Sequence, residues 1–201
     1  AAKRATERDL TAVSNVLHGD PYGVIGEYGA RSDVELVVMP THGRRGLKRY
    51  LLGSVTERVI TTAEVPAVAV DLERNRPFTY PCRDIFVPTD GSRGAERAVS
   101  EGIELATETG ATIRLLHVVE TGGLGPNGRS LLGEDELTTR AKEIVADAIE
   151  TAESASIDTV ESEIAFGAPS AEIRSYIEAN GINLAVLGTH GRSVFSRYVM
   201  G

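Results

Sequence analysis

Hydrophobic positions in the second half of the chain alternate between short runs and stripes with helical spacing. Four apolar or alternating runs predict strands at Ile85–Pro88, Thr112–Val119, Thr159–Phe166 and Leu184–Leu187. Between the strands, apolar residues recur on one helical face, and the first such stripe consists of Ala95, Ala98, Val99, Gly102 and Ala106. This alternation predicts an α/β fold with a parallel, doubly wound sheet, because right-handed crossovers place helices on both faces.

The chain also repeats itself. When the sequence is shifted by 148 positions, Thr11–Gly53 aligns with Thr159–Gly201 without a gap, and 15 of the 43 positions are identical. An offset of this size matches a domain and not a short solenoid repeat. The sequence therefore predicts parts of two related domains in tandem.

The two copies cover different parts of one domain, and both are incomplete. We assign residues 1–71 to the C-terminal part of the first copy, residues 72–82 to a linker, and residues 83–201 to a second copy that lacks its last helix and strand. The first copy adds a predicted helix and a fifth strand, Pro66–Val70, so a complete unit has a five-stranded, Rossmann-like sheet. We expect a natural protein of about 290 residues or, failing that, docking of residues 54–71 beside the second copy.

Composition narrows the function classes. The 201 residues are 41% hydrophobic and 25% charged, with a formal net charge of −8, so we do not expect a nucleic-acid binder that needs a basic footprint. Cys82 is the only cysteine, which excludes an intramolecular disulfide and a thiolate metal cluster and suits a reducing cytoplasm. No apolar run has the length of a membrane span, and no signal peptide is expected.

Two loops at predicted strand ends carry the candidate chemistry. Pro88–Ser92 follows the first strand of the second copy, and Gly188–Gly191 follows the fourth, with Gly201 nine residues later. Glycines in such loops let backbone N–H groups approach an anion. Asp90 has two interpretations: it accepts hydrogen bonds from an adenine amino group or a ribose hydroxyl, or it forms an Asx turn or helix cap. Ser92 is the expected N-cap of the following helix.

These residues resemble the universal stress protein family, in its ATP-binding subgroup. That family carries Gly-x2-Gly-x9-Gly followed by Ser or Thr, and this chain has Gly188, Gly191 and Gly201 at that spacing. The family's first strand ends in Pro-Thr-Asp, matched by Pro88-Thr89-Asp90, and its second ends in His-Val, matched by His117-Val118. The resemblance covers essentially all of both copies.

The resemblance implies a function and a binding site. The function is binding of ATP, or of AMP or ADP, with Mg²⁺ or Mn²⁺ held through the phosphates, in a cytoplasmic stress response as a nucleotide-dependent switch or chaperone-like factor. Nothing in the sequence indicates a dedicated enzymatic reaction, although slow ATP hydrolysis stays open. The implied nucleotide-binding residues are Pro88, Thr89, Asp90, Val118, Leu187, Gly188, Thr189, His190, Gly191 and Gly201.

The first copy departs from this pattern. Pro40 stands where the second copy has Gly188, and proline has no N–H and a fixed φ. We therefore expect the nucleotide site in the second copy. Because lone domains of the family dimerise, the resemblance also implies an intramolecular pseudo-dimer or a homo-oligomer, with Pro66–Val70 as the expected contact.

Two other functions remain as alternatives. One is an interaction or dimerisation module that binds no nucleotide and uses the glycine loop only for packing. The other is an adenylyl transferase or ATP pyrophosphatase, but the Ser-Gly-Gly and His-x-Gly-His signatures that this class needs are absent from the sequence. His117 is interpreted as a hydrogen-bonded core histidine, and His42 and His190 as hydrogen-bonding loop residues.

Overall fold

The structure is a computed structural model that describes residues 2–31, 33–41, 53–71, 79–120, 134–155 and 157–189. The chain forms two compact units, Ala1–Leu72 and Glu73–Gly201. Each unit is described on its own.

The first unit contains a two-stranded parallel sheet flanked by helices. Its elements are, in chain order, α1 (Ala2–Thr6), α2 (Pro21–Gly29), β1 (Val37–Pro40), α3 (Ser54–Thr62) and β2 (Ala67–Val70). Val37 of β1 lies opposite Ala67 of β2, and the register continues to Pro40 opposite Val70. The helix and the fifth strand predicted for the first copy are both confirmed.

The second unit has alternating strands and helices. Its elements are β3 (Asp84–Pro88), α4 (Arg93–Thr109), β4 (Thr112–Glu120), α5 (Glu134–Ser154), β5 (Val160–Gly167) and α6 (Pro169–Asn180). The three strands form a parallel sheet in the order β3-β4-β5. The predicted parallel α/β architecture is thus confirmed.

The predicted fourth strand, Leu184–Leu187, is reduced to a single parallel bridge between Ala185 and Phe86. The Phe86 N–H donates to the Leu184 carbonyl (3.1 Å), and the Val186 N–H donates to the Phe86 carbonyl (2.9 Å). In the first unit, three of the four corresponding residues, 37–39, lie in β1, which pairs with β2. The described residues of the second unit include no strand in the position of β2, so this segment is paired on one side only.

Apolar side chains cover both faces of the second sheet. On one face, Ile85 and Ile113 are fully buried against α4 and α5. On the other face, Phe86 and Leu116 pack against α6 and Ile182. A sheet buried on both faces is what a doubly wound fold requires. Among the described helices, none has the length and apolarity to cross a membrane.

A polar ladder crosses the sheet at the start of the strands. Arg114 of β4 donates to Asp84 of β3 (2.7 Å) and pairs with Glu161 of β5. The hydrogen bond to Asp84 is the main reason that the pKa of the Arg114 guanidinium is raised above its ordinary value. This ladder ties the three strands together at the end opposite the predicted site.

Candidate functional site

The strand arrangement defines a switch point in the second unit. β3 is the first strand of the second unit but lies between β4 and the Ala185 segment. The connection that leaves β3 through α4 and the connection that enters the Ala185 segment through α6 lie on opposite faces of the sheet. In parallel α/β sheets, ligands bind beyond the carboxyl ends of the strands at such a point.

A depression lies at this point. It has a volume of about 430 Å³, including the part that is open to solvent. Residues from both strand ends, from the start of α4, and from β4 and α6 line it, namely Pro88, Thr89, Asp90, Ser92, Ala95, Leu116, Val118, Ile173, Leu187 and Gly188.

Local hydrogen bonds shape the loop between β3 and α4. The Ser92 N–H donates to Asp90 Oδ1 (3.0 Å), which is an Asx turn. The Gly91 N–H donates to Thr89 Oγ1 (3.3 Å), and Gly91 has φ +68°, a conformation that favours glycine. Ser92 is the N-cap of α4, as predicted, because its Oγ accepts from the Ala95 N–H (3.3 Å).

Two further bonds tie this loop to β4. The Thr89 N–H donates to the Leu116 carbonyl (2.9 Å), and His117 Nδ1 lies 2.8 Å from the Thr89 carbonyl oxygen. Because a carbonyl oxygen only accepts, Nδ1 carries the hydrogen. His117 is 9% exposed, so the interpretation of His117 as a hydrogen-bonded core histidine agrees with the structure.

Gly188 passes very close to the first turn of α4. A Cβ atom at this position would lie 2.5 Å from the Gly94 carbonyl oxygen and 3.1 Å from the Ala95 backbone nitrogen. Both neighbours are backbone atoms and cannot rotate away. Glycine at position 188 therefore has a packing reason that is independent of any ligand.

The structure brings six of the predicted site residues to the depression, namely Pro88, Thr89, Asp90, Val118, Leu187 and Gly188. Thr189 is described but is not among its lining residues. The predictions for His190, Gly191 and Gly201 fall outside the described residues.

Four lining residues were not predicted for the site: Ser92, Ala95, Leu116 and Ile173. Leu116 is predictable from the strand pattern, because side chains two positions apart in a strand share a face and Val118 is one of the predicted site residues. The sequence indicates Ala95 and Ile173 only as core positions of helices. Nothing in the spacing alone brings those helices to the same depression.

In the first unit, the residues that flank the corresponding segment, 40–41 and 53–56, are hydrogen-bonded to each other. The Gly53 N–H donates to the Thr41 carbonyl (2.7 Å), and Thr56 Oγ1 donates to the Pro40 carbonyl (2.9 Å). Gly53 is the N-cap of α3. The carbonyl groups at the end of β1 are thus bonded to the start of the next helix.

The other reactive groups of the described residues do not form a second centre. Cys82 is buried, and burial raises the pKa of its thiol above the ordinary value, so the thiol stays protonated near neutral pH. Among the residues that the structure describes, no group of three or more His, Cys, Asp or Glu side chains is placed to hold a metal ion.

Comparison with known proteins decides the family. A model of the universal stress protein family matches residues 1–71 and 81–201. The chain belongs to the universal stress protein family. The matched residues include the loops on both sides of the depression.

Individual relatives match parts of the chain. Universal stress protein MJ0531 of Methanocaldococcus jannaschii is 41% identical over 68 residues, which are 34% of this chain and 40% of that protein. Universal stress protein MJ0577 of the same organism is 36% identical over 55 residues, which are 27% of this chain and 34% of that protein. The matches thus span less than half of the length of these relatives.

Solved structures of the family share the fold. Universal stress protein UspA from Lactobacillus plantarum has 27% identity and a TM-score of 0.54, covering 61% of this chain and 88% of its own. A universal stress protein from Archaeoglobus fulgidus has a TM-score of 0.63 and covers 92% of this chain and 62% of its own. Its 20% identity limits the likeness to the fold.

Proposed function

We propose that this universal stress protein binds an adenine nucleotide, with ATP as the first candidate, in the depression of the second unit. The observation that carries the proposal is that one depression at the switch point is lined by the Pro-Thr-Asp segment, Val118 and the start of the glycine loop. These elements are far apart in sequence, and the motifs predict each of them independently of the contacts between them.

The chemistry of the walls suits a nucleoside. Leu116, Val118 and Ile173 offer apolar surface to a purine ring, and Asp90 offers a carboxylate beside it. Backbone N–H groups of the Gly188–Gly191 loop are the proposed phosphate ligands, since glycine permits close approach of the backbone. Mg²⁺ or Mn²⁺ would be held by the phosphates with few protein ligands. We propose no dedicated reaction.

We further propose a tandem arrangement in which only the second copy binds nucleotide. The internal repeat, the two stretches matched by the family model and the two compact units support this arrangement. Pro40 at the position of Gly188 argues against a second site in the first copy. The proposed role is that of a nucleotide-dependent switch or chaperone-like factor in a cytoplasmic stress response, acting as a pseudo-dimer or homo-oligomer.

One observation favours a different class, an interaction module without nucleotide. Gly188 is required by its approach to Gly94, so the glycine loop has a structural use whether or not it meets a phosphate. Mass spectrometry of ligand released from the purified full chain separates the two classes. Recovery of an adenine nucleotide, together with calorimetric binding of ATP, supports the nucleotide-binding function. If no ligand is released and millimolar ATP with Mg²⁺ produces no heat of binding, the interaction module is supported instead.

Asp90 offers a test of the proposed base or ribose contact. Replacing Asp90 by alanine is expected to weaken ATP binding by about 1–3 kcal/mol, the usual loss for a hydrogen bond to a charged group. Asp90→Asn keeps one oxygen for the Ser92 N–H, so it preserves the Asx turn but removes the negative charge. We expect Asp90→Asn to restore the melting temperature and not the affinity, in calorimetric titrations with ATP. Wild-type affinity in both variants would limit Asp90 to the turn.

A further inference from the structure

Thr89 is held to β4 through both of its backbone groups. Its N–H donates to the Leu116 carbonyl (2.9 Å), and its carbonyl accepts from His117 Nδ1 (2.8 Å). Thr89 is 6% exposed and His117 is 9% exposed, so water does not readily replace either bond. The loop therefore leaves the sheet at a point that two neighbouring residues of β4 define.

The next residue after this anchor is Asp90. Asp90 Oδ1 accepts from the Ser92 N–H (3.0 Å), and Ser92 in turn caps α4. The position of the Asp90 carboxylate is thus fixed from two sides, by the start of α4 and by the Thr89 peptide. His117 is not among the residues that line the depression, and its ring is joined to the β3–α4 loop by the hydrogen bond to the Thr89 carbonyl.

We propose that His117 is a positioning residue for nucleotide recognition, which sets the place of Asp90 by donating to the Thr89 carbonyl. The effect of His117 on ATP affinity rests on the proposed function, whereas its effect on the position of Asp90 does not. Without the imidazole donor, the Thr89 carbonyl is buried without that partner, and such a group tends to move toward water. The Thr89 peptide then turns, and Asp90 turns with it.

Three variants of the full chain test the role of the Nδ1 donor. His117→Leu removes the donor and keeps an apolar side chain of related size. His117→Asn keeps an N–H near the Nδ1 position. Ile113→Val, at a fully buried position of β4, is the control for mild destabilisation of the same strand, since it removes one methyl group and no hydrogen bond.

In calorimetric titrations with ATP, we expect His117→Leu to bind about tenfold more weakly, His117→Asn to recover most of that loss, and Ile113→Val to bind as the wild type does. In an Asp90→Ala background, His117→Leu is expected to add less than about twofold, because coupled residues are not additive. A merely structural role would give additive losses and no rescue by asparagine. Either of those two results overturns the inference.

Amide hydrogen exchange without ligand supplies the second readout. The Ser92 N–H, which donates to Asp90, is expected to exchange faster in His117→Leu than in the wild type and at the wild-type rate in Ile113→Val. Unchanged exchange at Ser92 in His117→Leu contradicts the positioning role, whether or not the wild type binds ATP. Absence of ATP binding in the wild type, with faster Ser92 exchange in His117→Leu, contradicts the proposed function and leaves His117 as the residue that positions Asp90.

Discussion

Replacing Phe86 by alanine is expected to lower the free energy of unfolding by about 3–5 kcal/mol, the usual cost of removing a buried aromatic side chain. Phe86 is fully buried, and its ring stacks on Tyr176 of α6 with centroids 4.8 Å apart. Its backbone also pairs with Leu184 and Val186. The loss therefore loosens α6 and the Ala185 segment together, and both contribute to the depression.

The same substitution at Phe166 is the matched control. Phe166 lies in β5 and is 49% exposed, so its truncation is expected to cost less than about 1 kcal/mol, as surface changes usually do. Urea unfolding of the full chain followed by circular dichroism compares the two variants. Equal losses at Phe86 and Phe166 would show that the α6 face of the sheet is not the core described here.

The order of strands and helices was predictable from sequence because it depends on local patterns. Runs such as Ile85–Pro88 and stripes such as that of α4 follow from hydrophobic periodicity, and Ser92 follows from N-cap preference. The length of the fourth strand was not predictable from local patterns. Leu184–Leu187 has a strand pattern, but its extent depends on which neighbours lie beside it.

Two segments that the internal alignment pairs show this dependence directly. Residues 160–167 form β5, which pairs along its whole length with β4. The aligned residues 12–19 of the first copy form no strand, and Val13 and Val16 are 80% and 84% exposed. The described part of the first unit has no counterpart of β4 beside them. The tertiary partner, and not the strand pattern of the segment itself, decides whether a strand forms.

The sequence predicted which loops contribute to the candidate site, but not which side chains from other elements line it or how they pack. The motif selected Asp90 and Gly188, yet it did not reveal that Asp90 already accepts from Ser92 or that Gly188 lies against Gly94. The sequence pattern indicates Ile173 only as a core position of a helix. These features depend on how α4 and α6 meet the strand ends, which is a three-dimensional property that no local spacing encodes.

Replacing Gly188 by alanine is expected to weaken ATP binding by about a hundredfold, equivalent to ~2.7 kcal/mol. The added Cβ would lie 2.5 Å from the Gly94 carbonyl oxygen, so the loop and the start of α4 must separate. α4 is a 17-residue helix packed on the sheet, whereas the chain at Gly188 has left its single bridge at Ala185. The loop is therefore the part that is expected to move, and the backbone that we propose to bind phosphate moves with it.

The measurement is calorimetric titration of the full-length variant with ATP, beside thermal unfolding. Overpacking of this kind costs about 1–3 kcal/mol of stability, so we expect a lower melting temperature in a protein that still folds. Gly26→Ala is the matched control, because a Cβ at Gly26 in α2 meets nothing within 4 Å, and it is expected to leave binding unchanged. If Gly188→Ala binds ATP like the Gly26→Ala control, then the loop after Ala185 does not carry the phosphates. If Gly188→Ala also keeps the wild-type melting temperature, then Gly188 does not lie this close to Gly94. No folded backbone accommodates a carbon and an oxygen 2.5 Å apart without shifting.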